Sequence, residues 1–309
     1  MESLAKYMAF AGISTFWRKE STRELADVDI AVMGVPFDNG TSNRTGARLG
    51  PRAIRDQSLH TGNFHHPWPY DVKEKLKIID YGDVGLGLGL PCDTTKFMVK
   101  DTYEHAKKIY ASGAKLLTLG GDHTIPYGMV RAAREKYGEL AMVHFDSHQD
   151  TIDGLDGEAI FHGSFAHDLA VEGAVSPAHS TQVFIRTDMD NKLGYNIIYA
   201  HEALYMSPAD VASRIRDNAG DKPVYITFDV DAMDPVYAPG TGTPVPGGPT
   251  TFFVREVLRH LQGLNVVGAD IVEVAPMYDH SELTALAAAT LACDLIYLMA
   301  DGIVGKAHR

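Results

Sequence analysis

Two aspartate-rich strings carry most of the chemistry that can be read in this chain: His144-Phe-Asp146-Ser-His148-Gln-Asp150 and Phe228-Asp229-Val-Asp231. Each follows an apolar run that reads as a buried strand. Within each, the acidic and imidazole side chains recur every second residue. On an extended backbone alternate side chains point to the same side. Asp146, His148 and Asp150 are therefore expected to converge, as are Asp229 and Asp231. His123, in Gly120-Gly-Asp122-His123-Thr124, completes a set of four carboxylates and two imidazoles. Carboxylates gathered so closely repel one another unless cations lie between them. A carboxylate and imidazole set without thiolate suits a hard or borderline divalent ion such as manganese. Six donors exceed the needs of one small ion. They point to two ions sharing carboxylates, an arrangement that activates water for hydrolysis.

These strings need a frame. Short apolar runs that read as strands occur at 29–34, 76–80, 115–119, 140–145, 182–185, 224–228 and 266–274. Helical patterns lie between and after them, near 94–112, 125–137, 163–172, 208–219, 250–262 and 281–299. Ser207-Pro208 reads as an N-cap followed by proline at the first helical position. This alternation predicts an α/β domain with a mostly parallel sheet and helices on both faces, spanning residues 1–309 without a linker. In such sheets sites gather beyond the carboxyl ends of the strands, and all six candidate ligands follow predicted strand ends. The Gly- and Pro-rich stretch from Pro235 to Pro249 reads as a rigid loop shaping the pocket.

The net charge of -12 argues against nucleic acid as a partner, and it attracts rather than repels a small cation. Cys92 and Cys293 are the only cysteines. They read as core residues of a protein in a reducing cytoplasm. No leader peptide and no membrane span are expected.

The strings resemble the ureohydrolase family, which includes arginases and agmatinases. The resemblance rests on Gly120-Gly-Asp-His123, His144-Phe-Asp-Ser-His-Gln-Asp-Thr151 and Phe228-Asp-Val-Asp-Ala-Met-Asp-Pro235. Ala238-Pro-Gly-Thr-Gly-Thr-Pro244, Asp270-Ile-Val-Glu273-Val-Ala-Pro276, Gly34-Val-Pro-Phe-Asp38 and Gly46-Ala-Arg-Leu-Gly-Pro-Arg-Ala-Ile54 extend it over nearly the whole chain, in family order. One Asp-x-Asp at a strand end is usually a solvated turn; the full series is specific.

The resemblance implies a three-layer αβα fold, two manganese ions and an assembly of three or six subunits. Nickel, cobalt and zinc are the alternative metals. It implies one ion on His123, Asp146, Asp150 and Asp229, and another on Asp146, His148, Asp229 and Asp231, with Asp146 and Asp229 bridging. Glu273 would pair with a substrate guanidinium, His162 would transfer a proton, and Asp150 would orient the attacking water. Asp122 and His144 would lie behind the ligands. Ser147 stands where alanine is commoner; its side chain should point away, with little effect on the metals. Urea and a primary amine would be the products.

The tail from Tyr278 to Leu291 resembles the agmatinase branch. The loop 151–161 carries Asp153, Asp156 and Glu158, which would favour a substrate with a distal ammonium, such as agmatine. Asp153 is therefore a candidate substrate-binding residue. Guanidinobutyrate and guanidinopropionate are the alternatives; a carboxylate tail would want a basic group such as His65, Arg44 or Arg186. An inactive partner subunit in a mixed oligomer and a single-metal deacetylase are the readings from other classes. Neither fits a chain that keeps all six ligands.

Overall fold

The computed structural model describes residues 8–61, 68–85, 94–154 and 160–307. Its centre is one sheet of eight strands: β1 (Ile30–Val35), β2 (Ile78–Asp83), β3 (Lys115–Gly120), β4 (Ala141–Phe145), β5 (Thr181–Ile185), β6 (Asn196–Tyr199), β7 (Val224–Asp229) and β8 (Val266–Val272). The spatial order is β2-β1-β3-β8-β7-β4-β5-β6, and every pairing is parallel. Parallel strands buried on both faces must be apolar nearly throughout, which is why β1, β4, β5, β7 and β8 have no exposed residue.

Among the described residues, the helices are α1 (Gly50–Thr61), α2 (Val72–Lys75), α3 (Thr94–Ser112), α4 (Pro126–Tyr137), α5 (Phe165–Val171), α6 (Ala200–Ala203), α7 (Pro208–Ala219), α8 (Thr251–His260) and α9 (Leu283–Ala307). Helices α1, α7, α8 and α9 bury their apolar sides on one face of the sheet, through residues such as Ile54, Ile215, Val257 and Leu295. Helices α3, α4 and α5 cover the other face with Ile109, Met129 and Phe165. This is the expected αβα layering. Ser207 caps α7, its hydroxyl accepting from the Asp210 amide, with Pro208 at the first position.

Four elements were not foreseen: β6, α1 and the one-turn helices α2 and α6. β6 is a four-residue edge strand whose apolar run, Ile197-Ile198-Tyr199, is short. α1 carries its buried face partly as polar residues. Its Arg55 is buried against Asp80 and Asp83 at 2.8 and 2.6 Å, so the apolar stripe is interrupted. α9 holds a stretch, Leu283–Val304, long and apolar enough to cross a membrane, yet 83% of the tested window is buried inside the fold. Its Asp294 is paired with Arg255 at 2.7 Å. It is the central helix of its layer.

The four central strands in space are β3, β8, β7 and β4. Their C-terminal ends carry the acidic strings, so residues distant in sequence arrive at one place.

Candidate active site

All six expected donors meet at the C-terminal edge of the sheet. His123 follows β3, Asp146, His148 and Asp150 follow β4, and Asp229 ends β7 with Asp231 in the 3₁₀ turn beyond it. His123 Nδ1 lies 2.9, 3.3 and 3.3 Å from carboxylate oxygens of Asp146, Asp150 and Asp229. His148 Nδ1 lies 3.1 Å from Asp231 and 3.3 Å from Asp146. Two adjoining centres result, and Asp146 faces both.

The convergence does not arise as the spacing predicted. β4 stops at Phe145, and residues 146–150 are bent rather than extended. Asp146 Oδ1 accepts the amide of His148 at 2.6 Å, and Asp229 Oδ1 accepts the amide of Asp231 at 2.7 Å. Each is an Asx turn, which curls the chain so that the first and third side chains face one point. Asp150 then takes a left-handed backbone, φ +50°, and Glu273 beyond β8 does the same at +63°. Such residues cost about 1–3 kcal/mol each and persist where the surroundings dictate them.

The glycines before His123 have a steric reason. A Cβ at Gly121 would lie 2.5 Å from the carbonyl oxygens of both Val35 and Phe37. Only glycine lets β3 turn against the end of β1 here. Asp122 is no donor to the centre: its carboxylate accepts the amides of Gly40 and Thr124 at 2.7 and 2.9 Å and ties down the loop after β1.

Beneath the donors runs a rung of buried polar residues across five strands. Thr118 on β3 is level with Asp270 on β8, Asp270 with Thr227 on β7, Thr227 with His144 on β4, and His144 with Gln182 on β5. Their bonds fix the ligands. His123 Nε2 donates to Thr227 Oγ1 at 2.8 Å, and Thr227 donates to Asp270 at 2.7 Å. With its Nε2 proton committed, His123 presents a lone pair at Nδ1. That atom is buried, and no protein group is aligned to bond it. His144 Nε2 donates to Asp146 at 2.7 Å and receives the Gln182 amide on Nδ1 at 3.1 Å. Sequence reasoning foresaw His144 behind the ligands and missed Thr227 and Gln182.

Ser147 corrects an expectation. Its hydroxyl donates to Asp231 Oδ1 at 2.7 Å and lies 3.0 Å from His148 Nδ1, and its amide also reaches Asp231 at 3.1 Å. It does not point away. The bend at 146–150 turns it towards two of the expected ligands. Arg186 is also unlike the expectation of a basic group for a carboxylate substrate. Its guanidinium donates to the carbonyls of Phe184, Asp231, Ala232, Met233 and Val245. It pins the Gly- and Pro-rich loop, whose Thr243 reaches Asp231 at 3.2 Å. The expectation that this loop shapes the pocket holds.

A cavity of about 200 Å³ opens above the donors. His148, Asp150, Asp229 and His162 line it, with Ile152, Phe161 and Met189 as apolar walls and Ser42, Gln149 and Thr243 as polar ones. His162 Nδ1 lies 3.1 Å from Glu273 Oε1. Its Nε2 lies 2.7 Å from Ser42 Oγ and receives the Ser42 amide at 3.0 Å. Glu273 is buried and does not itself line the cavity. Its Oε1 also accepts the His123 amide at 2.9 Å, while Oε2 has no partner. Asp153 is exposed and does not line the cavity. His65, Cys92, Asp156 and Glu158 lie outside the described residues.

The electrostatics fit a cation. Burial and the charge of Asp146 push Asp150 up to about 8, and burial with Asp231 and Asp146 pushes Asp229 well above the carboxylate range. Divalent charge among these groups removes the repulsion. His123, Asp146, Asp150 and Asp229 could hold one ion, and Asp146, His148 and Asp231 another. For His162, burial disfavours the charged ring, but the bond to Glu273 and the charges of Glu273 and Asp150 outweigh it and hold the pKa at about 9.

With the geometry in hand, comparison with known proteins is decisive. Residues 28–297 match the arginase family. The chain belongs to the arginase family. It is 44% identical over 292 residues to an agmatinase of Chromobacterium violaceum, covering 94% of this chain and 89% of that one. It is 42% identical to an agmatinase of Escherichia coli, with 89% of each covered. The crystal structure of a hypothetical agmatinase from Burkholderia thailandensis is similar, with a TM-score of 0.91 at 41% identity over 96% of this chain and 94% of that one. Proclavaminate amidino hydrolase from Streptomyces clavuligerus gives 0.89 at 32% identity, over 96% of this chain and 99% of its own. Arginase-family membership and the αβα architecture thus agree with the resemblance drawn from the motifs.

Proposed function

We propose that this arginase-family chain hydrolyses agmatine to putrescine and urea. The observation that carries the reading is the meeting of four carboxylates and two imidazoles around two adjoining points, with the unpaired Nδ1 of His123 facing one of them. The identity to agmatinases directs it to this substrate.

His123, Asp146, Asp150 and Asp229 would hold one cation, and Asp146, His148, Asp229 and Asp231 a second; manganese suits these oxygen and nitrogen donors. When bound, such a pair supplies a water of lowered pKa at neutral pH. The remaining work falls to the chain's own groups. Asp150, lining the cavity, accepts a hydrogen bond from the attacking water and fixes its direction. Glu273 offers the unpartnered Oε2 to the guanidinium, a charge-assisted contact. Ile152, Phe161 and Met189 exclude water around the methylene chain. His162 carries the proton that the leaving amine needs. Asp153, exposed on the loop after Asp150, meets the distal ammonium by long-range attraction. This is the work of one domain, and the reading includes a cytoplasmic trimer or hexamer.

The test is urea release by purified, manganese-loaded protein across agmatine, arginine, guanidinobutyrate and guanidinopropionate. Agmatine is expected to lead, with arginine poor. Preference for a carboxylate-tailed compound would overturn the substrate and leave the chemistry standing. No urea from any of them would overturn both.

A further inference from the structure

Both nitrogens of His162 are occupied. Nδ1 faces Glu273 at 3.1 Å, and Nε2 faces Ser42 Oγ at 2.7 Å. A histidine that hands a proton to a substrate needs one nitrogen facing that substrate. The Nδ1 side is committed to Glu273 Oε1, which also holds the His123 amide and leaves no place there for the leaving nitrogen. The Nε2 side leads to Ser42, which is exposed and lines the same cavity as Asp150 and Asp229.

From this geometry we infer that Ser42 is a catalytic residue, the last link through which His162 delivers its proton to the leaving nitrogen. The inference rests on the proposed amidine hydrolysis and on His162 as the proton carrier. In the step, the Nε2–H bond of the imidazolium breaks as its proton passes to Ser42 Oγ. The Oγ–H proton passes to the departing nitrogen, which also keeps the electron pair of the breaking C–N bond. Histidine ends neutral, serine ends as it began, and the amine leaves uncharged.

A hydroxyl can serve both states of the ring. It accepts from Nε2–H when the ring is charged and donates to the lone pair when it is neutral. The Ser42 amide, which only donates, favours the neutral ring after transfer. The loop is held for this task. Gly40 donates its amide to Asp122 at 2.7 Å and accepts that of His162 at 3.1 Å, and Asn43 reaches the Gly242 carbonyl at 2.9 Å. Ser42 is thus fixed by bonds that its own hydroxyl does not make.

The experiment compares Ser42→Ala, Ser42→Thr and His162→Ala, all manganese-loaded, by single-turnover kinetics in light and heavy water. Ser42→Ala is expected to slow turnover at least tenfold, with KM within about twofold, unchanged metal content and a smaller solvent isotope effect. Ser42→Thr should restore most of the rate. A wild-type rate and isotope effect in Ser42→Ala, beside an inactive His162→Ala, would overturn the relay alone. A slow Ser42→Ala that has lost metal or melts early, and that threonine fails to rescue, would reduce Ser42 to a support for its loop. A fully active His162→Ala would remove the proton-carrier reading beneath it.

Discussion

Thr227→Val is the sharpest perturbation of the polar rung. It keeps the shape of the side chain and deletes one hydroxyl. That hydroxyl accepts from His123 Nε2 at 2.8 Å and donates to Asp270 at 2.7 Å. Without it two buried groups lose a partner, although Asp270 keeps the Tyr225 hydroxyl at 2.8 Å. An unsatisfied buried polar group costs about 1–3 kcal/mol. The pair therefore costs about 2–6 kcal/mol, a large part of the roughly 5–15 kcal/mol that holds a domain folded. The functional effect is separate. Nothing then commits the imidazole proton to Nε2, so Nδ1 no longer offers its lone pair reliably. Changes of this kind weaken metal binding about 10–100-fold, or about 1.4–2.8 kcal/mol. Calorimetric titration of chelator-treated protein with manganese would measure it, alongside thermal melts. Thr227→Ser keeps the hydroxyl and should titrate as the wild type does. If Thr227→Val binds its first ion as tightly as wild type, the argument from tautomer control is wrong.

Three further outcomes are expected. Ser147→Ala should weaken the ion held by His148, Asp146 and Asp231 about tenfold, leaving the other in place, since it deletes one of two bonds to Asp231 Oδ1; equal loss of both ions in a stepwise titration would contradict this. His162, held at about 9 against an ordinary 6.5, keeps its proton below that value and loses it as pH rises through it. Activity should therefore fall on the alkaline side at or below about 9. Glu273→Gln should move that fall to lower pH, and an unmoved alkaline limb would exclude His162 as the titrating group. Asp153→Asn should erode the preference for agmatine over guanidinobutyrate in paired kcat/KM measurements; an unchanged ratio would mean that this exposed carboxylate is merely solvated.

Much of the site was legible because the acidic and imidazole residues recur in a series of strings in family order, where a single Asp-x-Asp would have read as a solvated turn. The manner of convergence was not. Asp-x-His and Asp-x-Asp fit an alternating strand equally well, and only the bond from each first aspartate to the amide two residues on reveals a turn. The same ambiguity reversed the reading of Ser147, which a strand would face outward and the bend faces inward. Thr227 was not singled out, and Asp270 entered only as part of the string Asp270–Pro276. Their signal was present: Thr227 precedes Asp229 by two residues, as His144 precedes Asp146, so each shares a face with a ligand. Ser42 gave no signal, since its partner is 120 residues away along the chain. Most of the parallel sheet was readable from its apolar runs. β6 was not, because Ile197-Ile198-Tyr199 is too short a run to stand out, and a short edge strand buries little.

The strand order also bears on how such a protein is made. β8 comes last in sequence among the described strands, yet it lies between β3 and β7. Until Val266–Val272 emerges, the sheet can exist only as two blocks, β2-β1-β3 and β7-β4-β5-β6, each with an unpaired edge facing the other. His123 belongs to the first block, and the other five donors belong to the second. Without β8 no strand bridges the two blocks, so His123 can meet the other five donors only after β8 is made. A chain cut short before β8 would present two long apolar strand edges, the kind of surface that recruits neighbouring chains. Val266–Val272 thus serves as the closing stone of the sheet.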